Sequence, residues 1–210
     1  MRFIDLTHTF TAKMPIYPGD AVPQLQQIAH IEKDKLADHE VQTGMHVGTH
    51  IDGPMHIIEG GRKLSEIPIE RFVGQGILID TRGKSVIDET VVIAAEIPQG
   101  SIVLCLTGWS EKFGAAEYYT DFPRMTRGCA LALIDHGVKI IGLDTPGPDD
   151  SPFPLHKLFL EKEILLIENL THLDALLGVE AFEIYALPAK FETDSAPARV
   201  IARIVSIPRH

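Results

Sequence analysis

The sequence predicts an α/β fold of mixed β-sheets with a few flanking helices. Short apolar runs bounded by Gly, Pro and Asp outnumber stretches with helical periodicity. Several of these runs lie too close together for βαβ crossovers, so part of the sheet must be antiparallel. No Gly-rich turn with dinucleotide or P-loop spacing is present, which argues against either nucleotide site.

In chain order, Phe3 to Thr7 reads as a short strand. Met14 to Asp20 reads as a rigid loop, fixed by Pro15 and Pro18 and closed at Gly19. Gln24 to Ile31 and His39 to Val47 read as strands. So do the buried runs Gly76 to Thr81 and Ser101 to Thr107. Thr126 to His136 has helical spacing and stops at Gly137, a plausible end cap. A strand at Val138 to Leu143, a helix at Pro154 to Glu161 and a strand at Glu163 to Ile167 follow. Leu173 to Leu177 reads as a short helix, and Phe182 to Leu187 and Val200 to Ile207 as the last strands. No repeat, linker or composition shift divides the chain, so residues 1–210 read as a single domain.

Composition narrows the function. The 210 residues are 45% hydrophobic and 23% charged, enough for a core without staples. The net charge of −10 and the scatter of 19 basic residues exclude nucleic acid and an anionic membrane surface as expected partners. No apolar run approaches the ~20 residues that span a bilayer. The start, with one Arg and no long apolar segment behind it, does not read as a secretory signal. With neither signal nor span, the expected location is the cytoplasm, and Cys105 and Cys129, both in apolar runs, read as buried, reduced thiols.

Histidine stands out. Of ten, three fall in the segment His46-Val47-Gly48-Thr49-His50-Ile51-Asp52-Gly53-Pro54-Met55-His56. Imidazole with carboxylate suits Zn, Mn, Fe or Ni. The backbone cannot be one straight element. On a strand, residues four apart lie ~13 Å from each other, too far to share an ion. A helix would gather His46 and His50 but not Asp52, and would bury Gly48, Gly53 and Pro54 in its interior. The pattern therefore predicts a strand ending near Val47, then a tight bend through Gly48 and Thr49. Gly53 and Pro54 turn the chain again and set His56 apart.

A second polar region follows later. Asp144 to Asp150 is an acidic, turn-rich loop after a strand. His156 follows on the predicted helix, and Glu168 ends an apolar strand. Taken alone, each reads as a surface or packing residue.

Together these segments resemble the metal-dependent cyclase family, which contains bacterial kynurenine formamidase (arylformamidase). The eleven-residue segment fits its H-x-G-T-H-x-D-x-P-x-H pattern. Ile4 to Thr7 with Pro15 to Asp20, Gly142 to Pro146, Ile167 to Leu170, Ala186 to Lys190 and Ala196 to Arg199 resemble its other motifs. The resemblance runs from residue 4 to about 200 and implies a swivelling β/β/α fold and a homodimer or homotetramer. It implies that His46, His50 and Asp52 bind a first metal, with Asp52 able to bridge, and that His156 and Glu168 serve a second. It assigns His56 to proton transfer. Two departures touch loops near the family's substrate: Tyr17 stands where formamidases often carry Trp, and Gly147 where they often carry Ser.

The expected activity is hydrolysis of a C–N amide bond, an aryl formamide such as N-formylkynurenine. One or two Zn²⁺ ions, or Mn²⁺, would activate water, and His56 would act as general acid and base. Tyr17, Phe153 or Trp109 could pack against an aryl group, although Trp109 reads first as core or interface. The alternatives are hydrolysis of an isatin-like cyclic amide or lactone, a cyclase or lyase reaction at the same centre, and a metal-binding protein without catalysis. Neither a GxSxG elbow nor a Cys in a basic setting supports a covalent nucleophile.

Overall fold

A computed structural model describes residues 1–205. Its strands are β1 (Arg2–Asp5), β2 (Gln24–Ala29), β3 (Asp38–Gln42), β4 (His50–Asp52), β5 (Val73–Asp80), β6 (Val86–Ile87), β7 (Ile102–Leu106), β8 (Arg124–Met125), β9 (Ile140–Leu143), β10 (Leu165–Glu168), β11 (Phe182–Pro188) and β12 (Ser195–Ile204). The helices are α1 (Ile31–Asp34), α2 (Thr90–Ile93), α3 (Arg127–Asp135) and α4 (Pro154–Leu160). Leu173–Leu176 forms a single 3₁₀ turn. The predicted last strand begins earlier than expected, at Ser195, and its end at residues 206–207 lies outside the described residues.

Eight strands form one sheet in the order β1-β12-β11-β5-β7-β9-β10-β4. Because β4 pairs with both β10 and β12, the sheet closes on itself like a barrel. The run β5, β7, β9, β10 is parallel, and the remaining pairings are antiparallel. The fold is thus mixed α/β with few helices, as the strand spacing predicted.

Period-two alternation sorts the strand residues into two cores. Ile102, Leu104, Ile140, Leu165 and Ile167 face the enclosed core with Ile51 and Ile184. Val103, Cys105, Ile141, Leu143 and Leu166 face outward, where α3 and α4 cover them with Cys129, Leu133, Leu155 and Phe159. Both cysteines are buried and unpaired. Thr126 caps α3 by accepting from the Cys129 amide (3.0 Å), and Gly137 follows the helix end at φ +66°.

The closed sheet leaves little spare volume. Gly76 on β5 lies opposite Phe182 on β11, and a Cβ there would meet the Phe182 ring at 2.1 Å. Gly76→Ala is expected to destabilise the fold by about 1–3 kcal/mol. At ~2–4 °C per kcal/mol for a chain of this size, thermal unfolding should show a clear fall in Tm. An unchanged Tm would mean that the ring moves aside freely.

Candidate active site

Strand β4 supplies the centre. Ile51 points into the enclosed core, so its neighbours His50 and Asp52 share the opposite face. Antiparallel register sets Glu168 of β10 directly across from His50, and Leu166 across from Asp52. On the other edge of β4, Ser195 of β12 stands across from Asp52. The predicted bend is present, but its approach differs. Strand β3 ends at Gln42 rather than near Val47, and residues 43–49 are loop and turn. Its partner β2 starts at Gln24 behind Pro23, which has no N–H to extend the ladder. Gly48 takes φ +71°, and a Cβ there would lie 2.5 Å from the Met14 side chain.

The bend brings His46 Nδ1 to 3.0 Å from Asp52 Oδ1. His50 Nε2 is 3.5 Å from the same oxygen and 3.4 Å from Glu168 Oε2. Asp52 is therefore common to two groups, His46–Asp52–His56 and His50–Asp52–Glu168, whose ligand atoms lie within 4.8 Å of one another in each group. Both Asp52 carboxylate oxygens and His50 Nε2 are buried without a hydrogen-bond partner. Three orphaned polar atoms pointing together in a buried place are costly in the bare protein and are the donor set a divalent cation satisfies.

His156 and Glu168 are not surface residues; both are buried, at 4% and 6% exposure. His156 shares the inward face of α4 with Leu155, Phe159 and Leu160. Its Nε2 lies 2.9 Å from Glu168 Oε1, and its Nδ1 lies 2.5 Å from Asp149 Oδ1. His56 is not set apart either. The 3₁₀ turn Pro54–His56, closed by the His56 amide donating to the Gly53 carbonyl, folds it back. Its ring centroid comes to 4.3 Å from that of His46.

Two carboxylates escaped the sequence reading. Asp194 Oδ2 contacts His46 Nε2 (2.9 Å) and His56 Nδ1 (3.2 Å). Asp149 holds His156 and also accepts from the Leu155 amide. Such partners orient the ring and set its tautomer. Asp149 had a local signal, because it sits in the acidic loop ahead of His156. Asp194 had only its place beside the small-residue start of β12.

Electrostatics follow from this crowding. Burial disfavours protonating His46, but Asp52 and Asp194 outweigh it and raise its pKa to about 9. Burial likewise opposes protonation of His156, and Asp149 and Glu168 raise it to about 10. Against burial, the surrounding histidines hold Asp52 and Glu168 below the usual carboxylate range. A cation must displace protons from rings raised in this way. Apparent affinity for a divalent metal is therefore expected to rise with pH and to fall toward pH 6. The metal-free fold behaves oppositely. A raised histidine pKa contributes stability fully below about 6.5, and this is lost as pH rises through about 9 to 10. Calorimetric titration in buffers of different ionisation enthalpy should show net proton release on metal uptake. Uptake without proton release would contradict both assignments.

The cluster opens into a cavity of about 290 Å³. Tyr17, Tyr119 and Phe153 form its aromatic wall, with Tyr17 5.7 Å from Tyr119 and 6.5 Å from Phe153 between ring centroids. Trp109 is not on this wall; its indole N–H donates to the Tyr118 carbonyl at 2.9 Å. Gly147 lies against the second pair. A Cβ there would meet Glu168 Oε1 at 2.9 Å and His156 Cε1 at 3.0 Å.

Known proteins resemble this chain over nearly its whole length. Kynurenine formamidase of Bordetella petrii is 28% identical, aligned over 96% of this chain and 98% of its own length. An uncharacterized protein of Methanocaldococcus jannaschii is 32% identical, over 96% and 99%. Among solved structures, isatin hydrolase A from Labrenzia aggregata superposes with a TM-score of 0.85 at 25% identity, covering 96% of this chain and 93% of that one. The Cyclase family model matches residues 4–150, which hold the strand, bend and turn that gather His46, His50, Asp52 and His56. With that match and a relative above 30% identity over nearly its full length, the chain belongs to the cyclase family.

Proposed function

We propose that this protein is a metal-dependent amidohydrolase that cleaves the C–N bond of an aryl formamide such as N-formylkynurenine. The observation that carries the reading is Asp52, a buried carboxylate common to two ligand groups and flanked by His46 and His50, with neither oxygen in a hydrogen bond, beside an aromatic-walled cavity. Several relatives of near-equal length are named kynurenine formamidase, which favours the formamide.

By the family resemblance His46, His50 and Asp52 would hold a first ion and His156 and Glu168 would serve a second, with Asp52 common to both; in the bare protein Glu168 sits with His50 and Asp52, and His56 with His46 and Asp52. The imidazole and carboxylate set suits Zn²⁺, and Mn²⁺ is the alternative. Such an ion supplies Lewis acidity to a carbonyl and acidifies water. The chain's own residues do the rest. Asp194 engages His56 at Nδ1, which leaves Nε2 to take a proton and deliver it to the leaving nitrogen. Tyr17 and Phe153 orient the aryl group and exclude water from one side of the cavity.

The likeness to isatin hydrolase A favours a second reading, opening of an isatin-like cyclic amide or lactone. A cyclase or lyase reaction at the same centre is the third. We also propose that the protein works as a homodimer or homotetramer. Every strand residue of the β2–β3 ribbon except Ala29 is exposed, and Leu25, Ile28, Ile31, Leu36 and Val41 stand open on or beside it. A lone two-stranded ribbon with that apolar surface is marginal in water without a partner. Among the described residues no helix is long and apolar enough to cross a membrane. The buried, unpaired thiols fit a reducing cytoplasm.

The test is metal content of the purified protein together with N-formylkynurenine hydrolysis, before and after chelation and with Zn²⁺ or Mn²⁺ restored. Chelator-sensitive turnover is expected. Bound metal without formamide turnover would reject the substrate and send the search to cyclic amides. Failure to take up any divalent metal would reject the centre itself.

A further inference from the structure

Beyond the ligands, one buried residue ties the metal loop to the rest of the fold. Asn169 follows Glu168 directly, is 2% exposed and adopts a left-handed backbone at φ +54°. Its four polar groups meet three different segments. Its backbone N–H donates to the Thr145 carbonyl (3.0 Å), and its backbone carbonyl accepts from Thr49 Oγ1 (2.6 Å). Its side-chain Nδ2 donates to the Gly48 carbonyl (3.0 Å). Its Oδ1 accepts from the hydroxyl of Tyr118 (2.9 Å), a fully buried ring.

The Gly48 carbonyl also accepts from His50 Nδ1, at 2.8 Å. A carbonyl can only accept, so Nδ1 carries a proton, and Nε2, which faces Asp52 and Glu168, is the nitrogen left to bind a metal. Asn169 and His50 thus use the two lone pairs of one oxygen. The amide could rotate by 180° and present its oxygen to Gly48, which would repel that carbonyl. That repulsion keeps Nδ2 facing Gly48, and the Tyr118 hydroxyl completes this orientation by donating to Oδ1. The backbone at Gly48, at φ +71°, has no Cβ to steady it, so its carbonyl direction depends on what it bonds to.

We propose that Asn169 is a positioning residue, oriented by Tyr118, that aims the His50 ring through the shared Gly48 carbonyl and so sets metal affinity and turnover. The inference rests on the metal-centre reading above. Thr49 reinforces the same link, because its Oγ1 also accepts from the His8 amide at 3.0 Å. The loop is thereby tied to the N-terminal segment as well.

Two variants test it. Asn169→Gly removes the side chain while accepting the left-handed backbone, and Tyr118→Phe removes one hydroxyl and keeps the buried ring. Affinity of the metal-stripped protein for Zn²⁺ would be read by competition with a chromophoric chelator. Melting temperature would be followed in parallel. Loss of a partner behind a ligand weakens metal binding or activity by about 10–100-fold. Asn169→Gly is expected in that range, and Tyr118→Phe at its lower end. In the metal-loaded enzyme kcat should fall with little change in KM. A purely structural role would lower Tm in both variants and leave the Zn²⁺ affinity of the folded protein at its wild-type value; that result would overturn the proposal. Wild-type protein that binds no Zn²⁺ would instead remove the metal-centre reading on which it rests.

Discussion

Asp52→Asn is expected to abolish metal loading and reduce turnover by at least ~10³-fold, well beyond the ~10–100-fold typical of losing a group behind a ligand. Asp52 is the residue both ligand groups share, so its loss weakens two sites together. The amide of Asn has the same shape but no charge, and its NH₂ cannot bind a cation. The metal-free fold should survive. In the bare protein Asp52 opposes the burial of His46 and His50 by favouring their charged forms. Without it both rings lose that favour and titrate lower, which lets them remain neutral in the core. Metal analysis and thermal unfolding on one preparation decide the matter. A variant that keeps stoichiometric metal and measurable hydrolysis would remove Asp52 from the centre. A variant that loses metal but also fails to fold would show that the carboxylate has a structural role first.

His56→Ala separates two roles that geometry alone leaves adjacent. Its ring is close enough to His46 and Asp52 to count with them as a ligand group, yet its Nδ1 is held by Asp194. A proton-transfer role predicts unchanged metal content and a fall in turnover of ~10²–10⁴-fold. A ligand role predicts loss of metal along with activity. The expected result is the first. The half-exposed position of His56, beside the buried His50 and Asp52, suits a group that exchanges protons with solvent during turnover. Adding a small external base such as imidazole should recover part of the His56→Ala activity. Retained wild-type turnover would end the assignment.

Much of this centre is local and could be read from residues 46–56. Spacing alone excluded a straight strand and a helix, and Gly48 marked where the chain had to bend. The observed loop, with Gly48 at positive φ, agrees. Period-two alternation along β4 explains why His50 and Asp52 share a face while Ile51 is buried in the core. Alternation and turn chemistry act over a few residues, so sequence expresses them directly. The carboxylates that orient the histidines are different. Asp194 lies 148 residues from His46 and reaches it only because β12 pairs with β4, setting Ser195 across from Asp52. The Asn169 side chain reaches Gly48 across 121 residues because β10 lies beside β4. Pro23 ends the β2–β3 ladder early, and the turn at Pro54–His56 brings His56 back to His46 rather than away from it. The sequence determined which side chains can hold a metal and roughly where the chain must bend. Only closure of the sheet decided which distant carboxylates, hydroxyls and amides stand behind them, because strand pairing over more than a hundred residues is a property of the whole packed core rather than of any segment.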